Sequence, residues 1–124
     1  MEVSFGYNHY LKTYWLQGKL PTVKKGMYGG VLKKKGKNKA TLEHIKCHSQ
    51  GGPTSLGNLA IATWENNNKR GCEPLQDVFS YEAMSIYLKQ FKNVIVDKLD
   101  GNKYIKLILN TLKELGIDIE RIKI

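Results

Sequence analysis

Between Thr41 and Gly71 the chain sets Glu43 beside His44 and follows them with Ser49-Gln50-Gly51-Gly52. Asn58-Leu59 then heads an apolar run, and Asn67 precedes Lys69, Arg70 and Gly71. No packing pattern alone demands that set of residues. Together they can supply one general base, oxygen ligands for one divalent cation and a cationic edge. Cutting a phosphodiester needs those three parts: a water deprotonated near neutral pH, and stabilised charge on the phosphorane and the leaving oxygen. Histidine suits the first task because its ordinary pKa is about 6.5. A hard divalent cation suits the second as a Lewis acid. Mg²⁺ takes oxygen ligands, few of them from protein, and the Glu43 carboxylate and Asn67 side-chain oxygen fit that preference.

The elements that must position these groups follow from residue pattern. Thr41–Lys46 reads as a strand, Ser49–Gly57 as a loop rich in turn residues, Asn58–Thr63 as a second strand and Trp64–Arg70 as a short helix closed by Gly71. In a regular strand Glu43 and His44 face opposite sides, so they serve one site only if the strand ends or bulges there. Adjacent helix residues lie about 100° apart, so only one of Asn66, Asn67 and Asn68 can point straight at a metal. Upstream, Tyr7, Tyr10, Leu11, Tyr14 and Trp15 predict an amphipathic helix over 7–17, with His9 structural and Gly18 and Pro21 ending it. Residues 22–40 read as loop and hairpin, and eight lysines lie between Lys24 and Lys46. Downstream, Met84, Tyr87, Leu88, Phe91, Val94, Ile95 and Leu99 predict a helix with Ser80 as its N-cap. Asp100-Gly101-Asn102 is read as a break, and Tyr104 to Leu115 as a second helix ending at Gly116, the two packing as a hairpin. Residues 117–124 stay open between strand and tail.

The middle segment resembles the HNH endonuclease family. It carries the family's acid–His pair (Glu43-His44), Ser-x-Gly-Gly loop (Ser49 to Gly52), Asn-Leu (Asn58-Leu59), and Asn with a basic residue three positions on, then Gly (Asn67, Arg70, Gly71). His44 to Asn58 is 14 positions and Asn58 to Asn67 is 9, and both intervals match the family's. The resemblance covers about a quarter of the chain. It implies a ββα-metal core at about 37–72; with the N-terminal helix before it and the C-terminal helical hairpin at about 80–116 read from apolar spacing, the expected fold is α+β, and 124 residues make it one domain. It also implies that His44 is the general base, that Glu43 and Asn67 hold the metal, and that Asn58 fixes the loop that aims His44. There are departures. Glu43 stands where the family usually has Asp, Cys47 where many members have Pro, and the flanking zinc-binding cysteines are missing, so no structural zinc is expected.

The expected activity is metal-dependent hydrolysis of DNA, with double-stranded DNA nicked on one strand per monomer. The cofactor is one divalent ion, Mg²⁺ first, with Mn²⁺ or another ion open. A formal charge of +9 and a pI of about 9.5 favour a polyanionic partner. Lys69 and Arg70 are expected at phosphate, with Lys46 and the lysines before it on the DNA backbone and His48 as a further contact. Gly51 and Gly52 are expected to shape the loop. Cys47 and Cys72 are too few for a disulfide framework and are read as two free thiols, with a single bridge left open. The first residues lack a basic-then-apolar leader, and no apolar run reaches the roughly 20 residues of a membrane span. A cytoplasmic protein is expected, with no membrane contact and with homodimer or protein partner open. Two other readings stand beside this one: a non-cleaving nucleic-acid-binding or inhibitor protein on a degenerate HNH scaffold, and an assembly factor acting through the C-terminal helices.

Overall fold

The computed structural model of the chain describes residues 11–77 and 80–124, the side chain of Gln76 excepted. It is a mixed α+β structure. Residues 11–16 are helical (α1), and Tyr7, His9 and Tyr10 of the predicted helix lie outside the described residues. Leu11 and Tyr14 bury their side chains, and the Trp15 indole N–H donates to the Val23 carbonyl at 2.6 Å. The lysine-rich segment that follows is a loop, with isolated bridges between Lys25 and Val31 and between Lys33 and Lys39.

Strands β1 (Ala40–His44) and β2 (Leu59–Thr63) pair antiparallel, from Ala40 opposite Thr63 to His44 opposite Leu59. The pairing is unbroken through His44, so β1 ends there without a bulge. Every residue of β2 is buried. Its outer edge would leave polar backbone groups in an apolar core, a state that costs free energy unless they find partners. They find them in side chains and one amide. Tyr104 Oη donates to the Leu59 carbonyl at 2.6 Å, Tyr87 Oη accepts from the Ile61 N–H at 2.9 Å, and the Met27 N–H donates to the Ile61 carbonyl at 2.9 Å. The two tyrosine hydroxyls also bond each other at 2.8 Å, and burial raises the pKa of both phenols well above the ordinary value.

Helix α2 spans Trp64–Arg70. It starts where Thr63 Oγ1 accepts from the Asn66 N–H at 3.2 Å, a standard N-cap geometry, and it stops at Gly71.

The C-terminal part corrects the sequence reading. Helix α3 is only Tyr81–Lys89, capped by Ser80 Oγ accepting from the Ala83 N–H at 3.0 Å. The chain then turns through β3 (Ile95–Val96) and β4 (Leu99–Asp100), a small antiparallel hairpin. Asn93 and Asp97 adopt positive φ (62° and 50°), which no helix accepts. Asp100-Gly101-Asn102 is not a break but the start of α4 (Gly101–Glu114), and Asp100 Oδ1 accepts from the N–H groups of Asn102 and Lys103. Gly101 is required there, because a β-carbon would collide with the Phe91 carbonyl oxygen. Tyr104, Ile105, Ile108 and Leu112 of α4 join the buried cluster that contains Leu59, Ile61, Tyr87 and Phe91. Thr111 Oγ1 donates to the Gly57 carbonyl at 2.6 Å, tying α4 to the segment that enters β2. After α4, a 3-10 turn at Ile119–Arg121 returns buried Ile117 and Ile122 to the core.

Candidate active site at the end of the first strand

His44 is the last residue of β1 and is half-buried. Its Nε2 lies 3.0 Å from Thr54 Oγ1, and its ring meets that of His48 edge-on at 5.3 Å between centroids. Burial, and secondarily the positive charge His48 can carry, lower the His44 pKa below its usual value. His48 itself is exposed.

The loop beyond His44 is held by Asn58. This side chain is 2% exposed and makes three hydrogen bonds. Oδ1 accepts from the Lys46 N–H at 2.7 Å, while Nδ2 donates to the Lys46 carbonyl at 3.0 Å and the Pro53 carbonyl at 2.8 Å. Its backbone carbonyl accepts from the Ile45 N–H at 2.8 Å. Both peptide groups of Lys46 are thereby fixed, and the Lys46 side chain is exposed. Gly52 packs so close that a β-carbon would strike the Lys46 carbonyl oxygen. A carboxamide suits this place because it donates and accepts at once.

Helix α2 lies on the other face of β1. Asn67 Nδ2 donates to Thr41 Oγ1 and to the Leu42 carbonyl, each at 3.2 Å. The carbonyl acceptor settles which end of the amide points inward and leaves Asn67 Oδ1 without a hydrogen bond among the described residues. Thr41 and Glu43 alternate on one strand and share that face. Glu43 is 5% exposed, and its Oε2 accepts from Tyr28 Oη at 3.1 Å and lies 3.3 Å from Arg70 Nη1. Burial raises the Glu43 pKa, an effect that the Arg70 guanidinium and the Tyr28 hydroxyl oppose. The same burial, together with the Glu43 charge, raises the Tyr28 pKa.

Arg70, expected at a phosphate, is buried. Its Nη1 also donates to the His44 carbonyl at 2.9 Å, Nη2 to the Ile45 carbonyl at 2.8 Å and Nε to the Glu73 carbonyl at 3.1 Å. Its charge fastens α2 to the end of β1. Lys69 is exposed and lines a cleft of about 460 Å³ with Tyr28, Asn66, Arg70 and Asp77.

The reading of two free thiols is also corrected: Cys47 and Cys72 form a disulfide, with Cα atoms 5.6 Å apart. Arg70 explains the proximity, because it binds the Ile45 carbonyl and stands two residues before Cys72, as Ile45 stands two before Cys47.

The structure therefore gathers two groups around one strand end. His44, Thr54 and His48 form one; Glu43, Arg70, Tyr28 and Asn67 form the other, on the α2 face. No hydrogen bond among the described residues joins the Glu43 side chain to that of Asn67 or of His44. Sequence reasoning missed Thr54 and Tyr28. Tyr28 lies in the lysine-rich loop and Thr54 in a turn-rich loop, with no local pattern to mark either. Among the described residues no group of three or more His, Cys, Asp and Glu side chains is placed to hold a metal. The oxygen donors of Glu43 and Asn67, one carboxylate and one amide, fit in kind a hard ion that keeps most of its water. Arg70 beside Glu43 opposes a second cation there.

No helix among the described residues is long and apolar enough to cross a membrane. No family model, curated protein or solved structure matches the chain.

Proposed function

We propose that the chain is a metal-dependent endonuclease of the HNH type, with a ββα-metal core, that nicks double-stranded DNA. The observation that supports this reading best is the Asn58 clamp: three hydrogen bonds from one buried side chain hold the loop directly after His44. In the tautomer whose Nε2–H donates to Thr54, Nδ1 of His44 is the nitrogen left to take a proton from water, and the lowered pKa favours the neutral ring. Glu43 and Asn67 would hold Mg²⁺, with Mn²⁺ second. When bound, the ion supplies Lewis-acid stabilisation of charge on the phosphoryl and leaving 3′-oxygens. Lys46, His48 and Lys69 sit exposed around the strand end, where phosphates would pass. The products are a 5′-phosphate and a 3′-hydroxyl.

One observation favours a second reading, a nucleic-acid-binding scaffold that does not cut. The Glu43 charge is already opposed by Arg70, in a pair whose side chains are 7% and 5% exposed. Metal titration of nicking separates the two. Asn67→Ala should raise the Mg²⁺ concentration for half-maximal nicking on the order of tenfold, since one of few protein ligands is lost. Nicking that persists in EDTA, or a metal response unchanged in Asn67→Ala, would sink the assignment of Asn67.

A further inference from the structure

The loop before β1 carries Lys33, Lys34, Lys35, Lys37 and Lys39, all exposed. It is an ordered turn. Lys33 N–H donates to the Asn38 carbonyl, Ala40 N–H to the Lys33 carbonyl and Lys39 N–H to the Gly36 carbonyl, at 2.9 to 3.1 Å. The start of α2 is tied to the same turn, as the Trp64 N–H donates to the Lys39 carbonyl at 2.8 Å and the Glu65 N–H to the Lys37 carbonyl at 2.9 Å. Trp64 therefore stands among the lysines. It is 40% exposed, the one aromatic among the large exposed apolar side chains of the described residues, and Lys39 Nζ lies 5.9 Å from its ring centroid. Glu65, next to Trp64 in the chain, is an exposed carboxylate.

An indole left open to solvent in a field of five cations is poorly explained by the core, and hydration of lysines does not require it. Lysines bind phosphates without regard to sequence, and an exposed indole offers a face on which a base can stack. A base inside a duplex has no free face, so the pair selects DNA with an unpaired base. We infer that Lys33, Lys34, Lys35, Lys37, Lys39 and Trp64 form a subsite for unpaired DNA, with phosphates on the lysines and one base on the Trp64 indole. This rests on the endonuclease reading for its choice of DNA, and it narrows the substrate to a duplex bearing a single-stranded stretch. Lys39, just before β1, and His44 at its end are five residues apart, roughly 16 Å at about 3.3 Å per residue. That spacing sets the stacked base a few nucleotides along the strand from the bond to be cut.

The test is binding in EDTA, by fluorescence anisotropy, of labelled oligothymidylate of about fifteen nucleotides, the same length of abasic strand, and a duplex. The probes carry matched phosphates, so only the base differs between the first two. Wild type should bind the oligothymidylate about tenfold more tightly than the abasic strand. Trp64→Ala should erase that difference and leave duplex binding within about twofold, while Trp64→Phe should keep most of it. Equal binding of thymidylate and abasic strands by wild type would overturn the inference even if Trp64→Ala failed to fold. So would an equal loss on all three probes in a folded Trp64→Ala. Plasmid nicking, measured separately, keeps the two claims apart: a chain that nicks without base dependence retains the endonuclease reading and loses the subsite, and base dependence without nicking does the reverse.

Discussion

His44 has a lowered pKa for two reasons, burial first and His48 second. A general base works in its neutral form, so the rate rises with pH through the His44 pKa and then levels. The acid limb of kcat/KM for nicking should therefore lie below the ordinary histidine value of about 6.5. His48→Asn removes the neighbouring charge and should move that limb upward, toward the ordinary value, without removing activity. An unmoved limb would mean that His48 does not sense His44 or that another group titrates. The types and spacing of His44, Asn58 and Asn67 were legible in the sequence because each depends on a local element. Arg70 was not. A guanidinium two residues before a cysteine reads as a surface cation, and only the fold reveals the carbonyls of His44, Ile45 and Glu73 waiting for it. The pairing of Glu43 with Arg70 was hidden for the same reason.

At the scale of elements, the strand–loop–strand–helix order and the bounds of α2 could be read from the chain. Thr63 caps α2, Gly71 ends it, and the apolar run from Leu59 to Ala62 has no place but the core. The C-terminal helices could be read only in part. The apolar spacing that continues through Phe91, Val94, Ile95 and Leu99 fits a helical period, yet a hairpin with Asn93 and Asp97 at positive φ seats Phe91 and Leu99 in the core just as well. Periodicity could not separate the two, and the close approach of Gly101 to the Phe91 carbonyl is a tertiary fact. The loop between β1 and β2 depends on Asn58 more than on any other side chain within it. Asn58→Ala would leave the Lys46 N–H and the carbonyls of Lys46 and Pro53 without this partner. It should destabilise the fold by about 3 kcal/mol, summed over buried groups losing about 1 kcal/mol each. Chemical denaturation measures that cost. A loss under about 0.5 kcal/mol, the usual surface value, would show that the loop holds itself.

For the whole molecule, the Cys47–Cys72 disulfide joins the loop after His44 to the end of α2, closing 25 residues that include both strands' connection and the helix. A cross-link of that span restricts the unfolded chain and is worth about 3.5 kcal/mol on the chain-entropy account. Reduction with a dithiol should lower the melting temperature by several degrees, as should Cys72→Ser under oxidising conditions. Coincident melts with and without reductant would show that the bridge adds nothing to stability.

In the proposed reaction His44 and a divalent ion together cut DNA. Nicking of supercoiled plasmid by wild type and His44→Ala, each with Mg²⁺, Mn²⁺ or EDTA, tests it most directly. The prediction is relaxation by wild type with a divalent ion, none in EDTA, and a loss of about 10²-fold or more in a folded His44→Ala. Plasmid bound but left intact by wild type with every ion would contradict it, and the chain would then be a binding scaffold.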